Sequence, residues 1–127
     1  MEVSARSPLA QLERISPEQL KDVPCILIAS PAQRETEQAY YQQVVGFSGE
    51  FLYAENLEEA RLMVIGRRGF LPVEGVSALP TMGTSIARIP LVRGNEPICR
   101  NYCAFWRRQN ANPYVTEFAE MLKAQFA

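Results

Sequence analysis

The stretch Pro24-Cys25-Ile26-Leu27-Ile28-Ala29 limits the architecture more than any other part of the chain. Six residues with no charge and a β-branched bias read as a strand buried on both faces, which is how strands of a parallel sheet look. It is followed at once by Ser30-Pro31-Ala32-Gln33, a hydroxyl, then proline at the first helical position, then glutamine two residues later. That order opens a helix. A buried strand running straight into a helix start is the beginning of a β-α-β unit, so the chain is read as α/β.

The same grammar recurs. Ser16-Pro17-Glu18-Gln19 opens a short helix ahead of the strand, and Asn56-Leu57-Glu58-Glu59 opens another after a second strand at Phe51-Leu52-Tyr53-Ala54. The helix after Gln33 is expected to stop at Gly46, a residue suited to a left-handed C-cap. The helix after Asn56 is expected to bury Ala60, Met63 and Val64 and to end near Gly66. A third strand is read at Gly69-Phe70-Leu71-Pro72-Val73, weakened by Pro72, which has no N–H to donate to a ladder. The stretch 75–85 reads as loop from its Gly, Pro, Ser and Thr content. Ile86 to Val92 and Ile98 to Phe105 are read as two further strands around a turn at 93–97. A last helix starts at Asn112-Pro113, with Val115, Phe118, Ala119, Leu122 and Phe126 on one face. Strand-helix-strand-helix-strand implies a mostly parallel sheet with right-handed crossovers. Ligands in such sheets bind beyond the carboxyl ends of the strands, which directs attention to Ser30–Gln33 and, less directly, to Glu55 and Asn56.

Composition narrows the chemistry. With 127 residues the chain is one domain's worth. It carries 13 basic and 14 acidic residues, so it lacks the basic excess with which nucleic-acid modules neutralise phosphate. It has no histidine, which removes the commonest metal ligand and the usual general base. No Gly-rich phosphate loop is present, and Glu58 and Glu59 are adjacent on a helix and diverge, unlike a catalytic carboxylate pair. No catalytic residues, metal site or cofactor are expected. The three cysteines, Cys25, Cys99 and Cys103, have no zinc-site spacing. They are read as reduced, buried or half-buried thiols in a reducing, cytoplasmic setting. No run of about 18 apolar residues is present, so no membrane span is expected.

Three clusters have both a functional and a plain reading. Ser30–Gln33 is either an anion-binding helix start or simply a capping box. Arg67 and Arg68 either meet an anion or solvate a helix C-terminus. Tyr102, Phe105, Trp106, Arg107 and Arg108 either form a stacking surface for nucleic acid or pack aromatics under the last helix.

The order of the pieces resembles a known family. Ser7-Pro8-Leu9-Ala10, then Ile15-Ser16-Pro17-Glu18-Gln19-Leu20-Lys21-Asp22-Val23-Pro24 and the buried strand, resembles the crossing of LysR-type transcriptional regulators into the second lobe of their effector-binding domain. Leu57-Glu58-Glu59-Ala60 through Val64 to Gly69-Phe70-Leu71 resembles that family's following helix and strand. Phe105-Trp106-Arg107-Arg108 and Tyr114-Val115-Thr116-Glu117-Phe118 resemble its last strand and C-terminal helix. The sequence departs from the family pattern with Arg67 at the first glycine of the helix-strand turn, and with Glu74 where a proline often ends the strand.

The resemblance implies a type II periplasmic-binding-protein-like lobe, a three-layer sandwich around a mostly parallel sheet. Residues 1–85 would be the second lobe, with a hinge near residues 4–10, and residues 86–127 would return to the first lobe. The winged helix-turn-helix that contacts DNA would lie in a missing N-terminal domain. By position, Ser30, Pro31, Ala32 and Gln33, with Val73 and Glu74, would contact a small-molecule effector, an anionic metabolite among the candidates. The last helix would expose apolar area around Phe118, Leu122 and Phe126, and the chain would form homo-oligomers to cover it. Two other readings stand beside this one, a free-standing lobe related to solute-binding proteins and a small α/β enzyme.

Overall fold

The fold is that of a computed structural model, which describes residues 1–74, 85–110 and 112–126, leaving aside the side chain of Phe126. Most of the expected loop at 75–85 therefore lies outside the described residues, as does the Phe126 part of the expected apolar face.

Among the described residues the chain forms six strands and three α-helices: β1 Glu2–Ser4, β2 Cys25–Ile28, α1 Arg34–Tyr40, β3 Phe51–Ala54, α2 Leu57–Ile65, β4 Ile86–Arg88, β5 Val92–Arg93, β6 Glu96–Pro97 and α3 Pro113–Phe126. Single-turn 3₁₀ helices cover Pro8–Gln11 and Pro17–Leu20. β2 pairs in parallel with β3, Cys25 opposite Phe51 through Ile28 opposite Ala54. β1 pairs antiparallel with β4, and β5 with β6. The Gly69–Val73 segment expected as a strand joins these pieces through single bridges, Cys25 to Phe70 in parallel and Glu2 to Leu71 antiparallel. Its bonds are short, Ile26 N–H to Phe70 O at 2.8 Å and Glu2 N–H to Leu71 O at 2.8 Å. The order is thus β3, β2, residues 70–71, β1, β4, parallel on the β3 side and antiparallel on the β1 side. Proline at 72 stops the ladder after two residues.

Side chains alternate across this sheet, and two apolar clusters form on its two faces. Cys25, Leu27 and Phe70 join Val3, Ile15, Leu20, Val45, Phe47 and Ile89 on one face. Ile26 and Leu71 join Ala54 and the α2 residues Ala60, Met63 and Val64 on the other. The expected apolar face of α2 is the buried one. Phe70 is fully buried and meets Phe47 edge-on, ring centroids 4.9 Å apart. Gly69 is required by the close approach of two backbones, because a Cβ there would stand 2.4 Å from Pro24 O.

Local signals were met unevenly. Asn56 caps α2, its Oδ1 accepting from Glu59 N–H at 2.8 Å. Gln19 Oε1 accepts from Ser16 N–H at 2.9 Å. Gly46 adopts φ 98°, the left-handed stop expected of it, after a π-helical turn at Tyr41–Val45 that extends α1. At Ser30 the expected capping box does not form. The Ser30 hydroxyl donates to Gln33 Oε1 at 3.1 Å, Gln33 N–H bonds Ser30 O at 2.8 Å, and α1 starts only at Arg34.

The expected strand at 86–92 is broken by Pro90 into β4 and β5, and a hairpin follows with Gly94 at φ 64°. The expected strand at 98–105 is absent. The segment is irregular, and among the described residues only Ile98 finds a ladder-like partner, Leu91 O. Cys99 and Cys103, expected half-buried on that strand, are consequently exposed, and Cys25 alone is a core thiol.

Candidate functional site

A cleft of about 1030 Å³ opens beyond the carboxyl end of β2. The parallel strand pair sets its position. Ile28, the last residue of β2, turns into it and is 42% exposed despite an apolar strand around it. Leu57, the first residue of α2, and Pro72, Val73 and Glu74, which follow the central bridge, form the neighbouring wall. Tyr40, Tyr41 and Val45 supply a second wall, and the returning chain supplies a third through Arg88, Ile89, Leu91, Ile98, Arg100 and Tyr102. The lining is dominated by aliphatic and aromatic groups with few charges, the usual constitution of a small-molecule site.

The polar groups are mutually held. Arg100 pairs with Glu37 at 3.2 Å, and its guanidinium carbon lies 4.4 Å above the Tyr40 ring and 5.6 Å from the Tyr102 ring. The Glu37 hydrogen bond comes first in holding the Arg100 proton more tightly than usual. The Tyr102 hydroxyl donates to the Glu74 carboxylate, and that bond, with burial and the charge of Glu74, pushes the phenol pKa up. Burial raises the Tyr41 phenol to about 12, so it stays neutral at any physiological pH.

One wall of the cleft is anchored by a buried charge cluster. Glu2 on β1 is 0% exposed and stands opposite Arg88 in the β1–β4 register. Arg61 of α2 clamps it with two bonds, Nε to Oε2 at 3.0 Å and Nη2 to Oε1 at 2.9 Å, and Arg88 Nη2 reaches the same Oε1 at 2.7 Å. Burial acts to raise the Glu2 pKa, but the hydrogen bonds and charges of Arg61 and Arg88 outweigh it and hold the carboxyl below its ordinary value.

Of the residues expected at the site, Val73 and Glu74 lie on the cleft wall. Ser30, Pro31, Ala32 and Gln33 follow two residues after Ile28, are exposed, and lie outside the lining. Arg67 and Arg68 are exposed at the end of α2, where Arg67 adopts φ 60°, and neither lines the cleft. Tyr40, Tyr41, Arg88 and Arg100 were not singled out by sequence. The tyrosine pair sits in a helix without a motif, and Arg88 and Arg100 reach the cleft only through long-range folding. Among the described residues no group of three or more acidic or cysteine side chains is arranged to hold a metal, and no helix is long and apolar enough to cross a membrane.

A second, shallower hollow of about 320 Å³ lies between Ala104, Phe105 and Trp106 and the α3 residues Tyr114, Val115, Phe118 and Ala119. The aromatics of 105–106 line this hollow together with the last helix, but the expected packing under that helix does not form. Phe105 is 91% and Phe118 65% exposed.

Among curated proteins no relative matches the chain. Among solved structures, the chain is similar to a Pseudomonas aeruginosa protein described as a LysR family transcriptional regulator. The TM-score is 0.54 and the identity 19%, over 72% of this chain and 33% of that one, so the chain spans about a third of that protein's length. That likeness concerns the fold. The LysR substrate binding domain family matches residues 2–127, and its fold is the type II periplasmic-binding-protein-like α/β fold. The chain belongs to the LysR substrate-binding domain family, the ligand-sensing part of LysR-type transcriptional regulators.

Proposed function

We propose that the cleft beyond β2 is the effector site, and that the chain senses a small molecule there without converting it. The observation that carries this reading is the placement of Val73 and Glu74 on the wall of a mainly apolar cleft at the carboxyl ends of parallel strands. Effector contacts are assigned to Val73 and Glu74 directly, and to Ser30, Pro31, Ala32 and Gln33 as the rim just past Ile28.

Residues 1–85 act as the second lobe, built as a three-layer sandwich, with the hinge near residues 4–10. The apolar clusters on both faces of the sheet support that layering. Residues 86–127 belong to the return into the first lobe. The parent protein works in the cytoplasm and contacts DNA through a separate domain. Effector binding changes the balance between two arrangements of the lobes. Exposed apolar side chains on α3 support self-association. An enzymatic reading has less support, because the family matched over residues 2–127 is a substrate-binding domain.

A thermal-shift screen of small organic metabolites against the purified chain tests the proposal. A ligand at about 100 times its Kd stabilises a folded protein by about 2.7 kcal/mol. With unfolding entropy of about 2.1 cal/mol/K per residue, a chain of 127 residues should then melt about 10 °C higher. The shift is expected to vanish in Val73→Asp, and the ligand should be recovered unchanged. A ligand that stabilises Val73→Asp and Ser30→Asp as well as the parent chain would place the site elsewhere, and turnover of the ligand would make the protein an enzyme.

A further inference from the structure

Among the described residues, each charged group of the cleft lining already serves another group of the protein. Arg88 bonds Glu2. Arg100 reaches both oxygens of Glu37, at 3.2 and 3.4 Å, and the Glu74 carboxylate accepts from the Tyr102 hydroxyl. The Met1 amino group donates to Ile89 O at 2.8 Å. A carboxylate ligand would have to share a guanidinium with the carboxylate it already holds, which brings like charges together. An ammonium ligand would meet a lining with two arginines and one glutamate. Either charge also gives up its hydration on entering a mainly apolar recess.

The uncharged part of the lining is open by contrast. Ile28 and Leu57 are 42% and 43% exposed, and Val73 and Leu91 add aliphatic surface. Covering such surface is favourable and makes no directional demand. Tyr41 supplies the directional element. Its ring stacks on Phe47 with centroids 5.8 Å apart and meets Tyr40 edge-on at 5.1 Å, so its position is fixed by packing. Its hydroxyl has no hydrogen-bond partner among the described residues. Burial keeps that phenol protonated, so it serves as an uncharged donor.

We infer that the cleft takes an uncharged aromatic molecule carrying a carbonyl oxygen, and that the Tyr41 hydroxyl donates the hydrogen bond that orients it. The aromatic body lies against the aliphatic wall, and the charged groups keep their protein partners. The inference rests on the cleft being the effector site, and it adds the class of the ligand and the residue that orients it.

Four benzenes with one substituent each are the probes: acetophenone, ethylbenzene, benzoate and benzylammonium. Affinity is measured with the full chain by calorimetry and equilibrium dialysis, for the parent and for Tyr41→Phe. Location is measured separately, by the rate at which iodoacetamide labels Cys99 and Cys103. Both thiols are exposed, but only Cys99 lines the cleft, so slowing at Cys99 alone reports an occupied cleft whatever the ligand. Acetophenone is expected to bind about tenfold or more tightly than benzoate and benzylammonium and to slow Cys99 only. In Tyr41→Phe its affinity should fall about fivefold, with ethylbenzene unchanged. Benzoate or benzylammonium that binds as tightly as acetophenone and slows Cys99 overturns the uncharged class and leaves the cleft as the site. That comparison uses the parent chain, so it stands even where the variant folds poorly. An acetophenone affinity unchanged in Tyr41→Phe overturns the role of Tyr41. Binding that leaves Cys99 labelling unslowed refutes the cleft reading itself. If none of the probes binds at millimolar concentration, the aromatic ketone class fails, and the cleft reading is decided on its own by whether hits of the thermal-shift screen slow Cys99.

Discussion

Replacing Glu2 by Gln isolates the buried charge cluster with almost no change in shape. The carboxylate is fully buried and takes three bonds from two guanidiniums. Removing one partner of a fully buried pair costs about 3–5 kcal/mol, mostly through the charge left behind. Here the groups that lose their carboxylate are Arg61 and Arg88, with side chains 14% and 18% exposed. Part of their hydration can be regained, which lowers the expected cost to about 2–3 kcal/mol. Unfolding entropy of about 2.1 cal/mol/K per residue over 127 residues is about 0.27 kcal/mol/K, so the melting temperature should fall by about 8–11 °C at pH 7.

The pH dependence supplies an independent check. The Glu2 pKa in the folded protein lies below its ordinary value. The stability it contributes is therefore complete above the ordinary carboxyl range, and it is lost as the pH falls through the depressed folded pKa. The gap between parent and Glu2→Gln, followed by circular dichroism from pH 7 down to about 3, should narrow on acidification because both proteins then carry a neutral group there. A fall of less than about 2 °C at pH 7, or a gap that stays constant on acidification, would show that the two arginines do not depend on Glu2 and would refute this account of the cluster.

Three further outcomes follow from particular contacts. Gly69→Ala forces a methyl to within 2.4 Å of Pro24 O at the centre of the sheet, and urea denaturation should show a loss of about 2 kcal/mol or more, as for other overpacked sites. Cys99 and Cys103 are exposed, whereas burial holds the Cys25 thiol protonated well above its ordinary pKa. An aromatic disulfide reagent at pH 8 should therefore label two thiols quickly and the third only after urea. Phe118→Asp on α3, where Phe118 is 65% exposed, should shift sedimentation toward the monomer with little change in melting temperature, and a marked drop in melting temperature would instead make Phe118 part of the fold.

The parts of the fold that could be read from sequence are those specified by neighbours in the chain. The β2 and β3 strands, the Asn56 cap, the stop at Gly46 and the buried face of α2 each depend on a few consecutive residues. Errors arose where a distant partner decides. Ile98 to Phe105 has the composition of a strand, but a strand needs a ladder, and among the described residues only Ile98 finds such a partner, its N–H bonding Leu91 O at 3.0 Å. Ser30–Gln33 has the letters of a capping box, yet the Gln33 side chain takes the Ser30 hydroxyl while the Gln33 N–H goes to the Ser30 carbonyl. Phe70 and Leu71 look like the weak part of a proline-spoiled strand, and they are the bridge that unites the sheet.

The candidate site was legible to the same limited extent, for a related reason. The rule that ligands meet the carboxyl ends of parallel strands points toward the cleft once β2 and β3 are known, whereas Val73 and Glu74 came from the family resemblance. Arg88 came from neither. In the sequence it is one of 13 basic residues, set in an unremarkable apolar segment with no spacing that distinguishes it. Its character comes from Glu2, 86 positions away and directly opposite in the β1–β4 register, and from Arg61, which satisfies Glu2 first. That pairing belongs to tertiary structure, so a chain whose net charge is −1 nonetheless places two arginines around one buried carboxylate at the wall of its cleft.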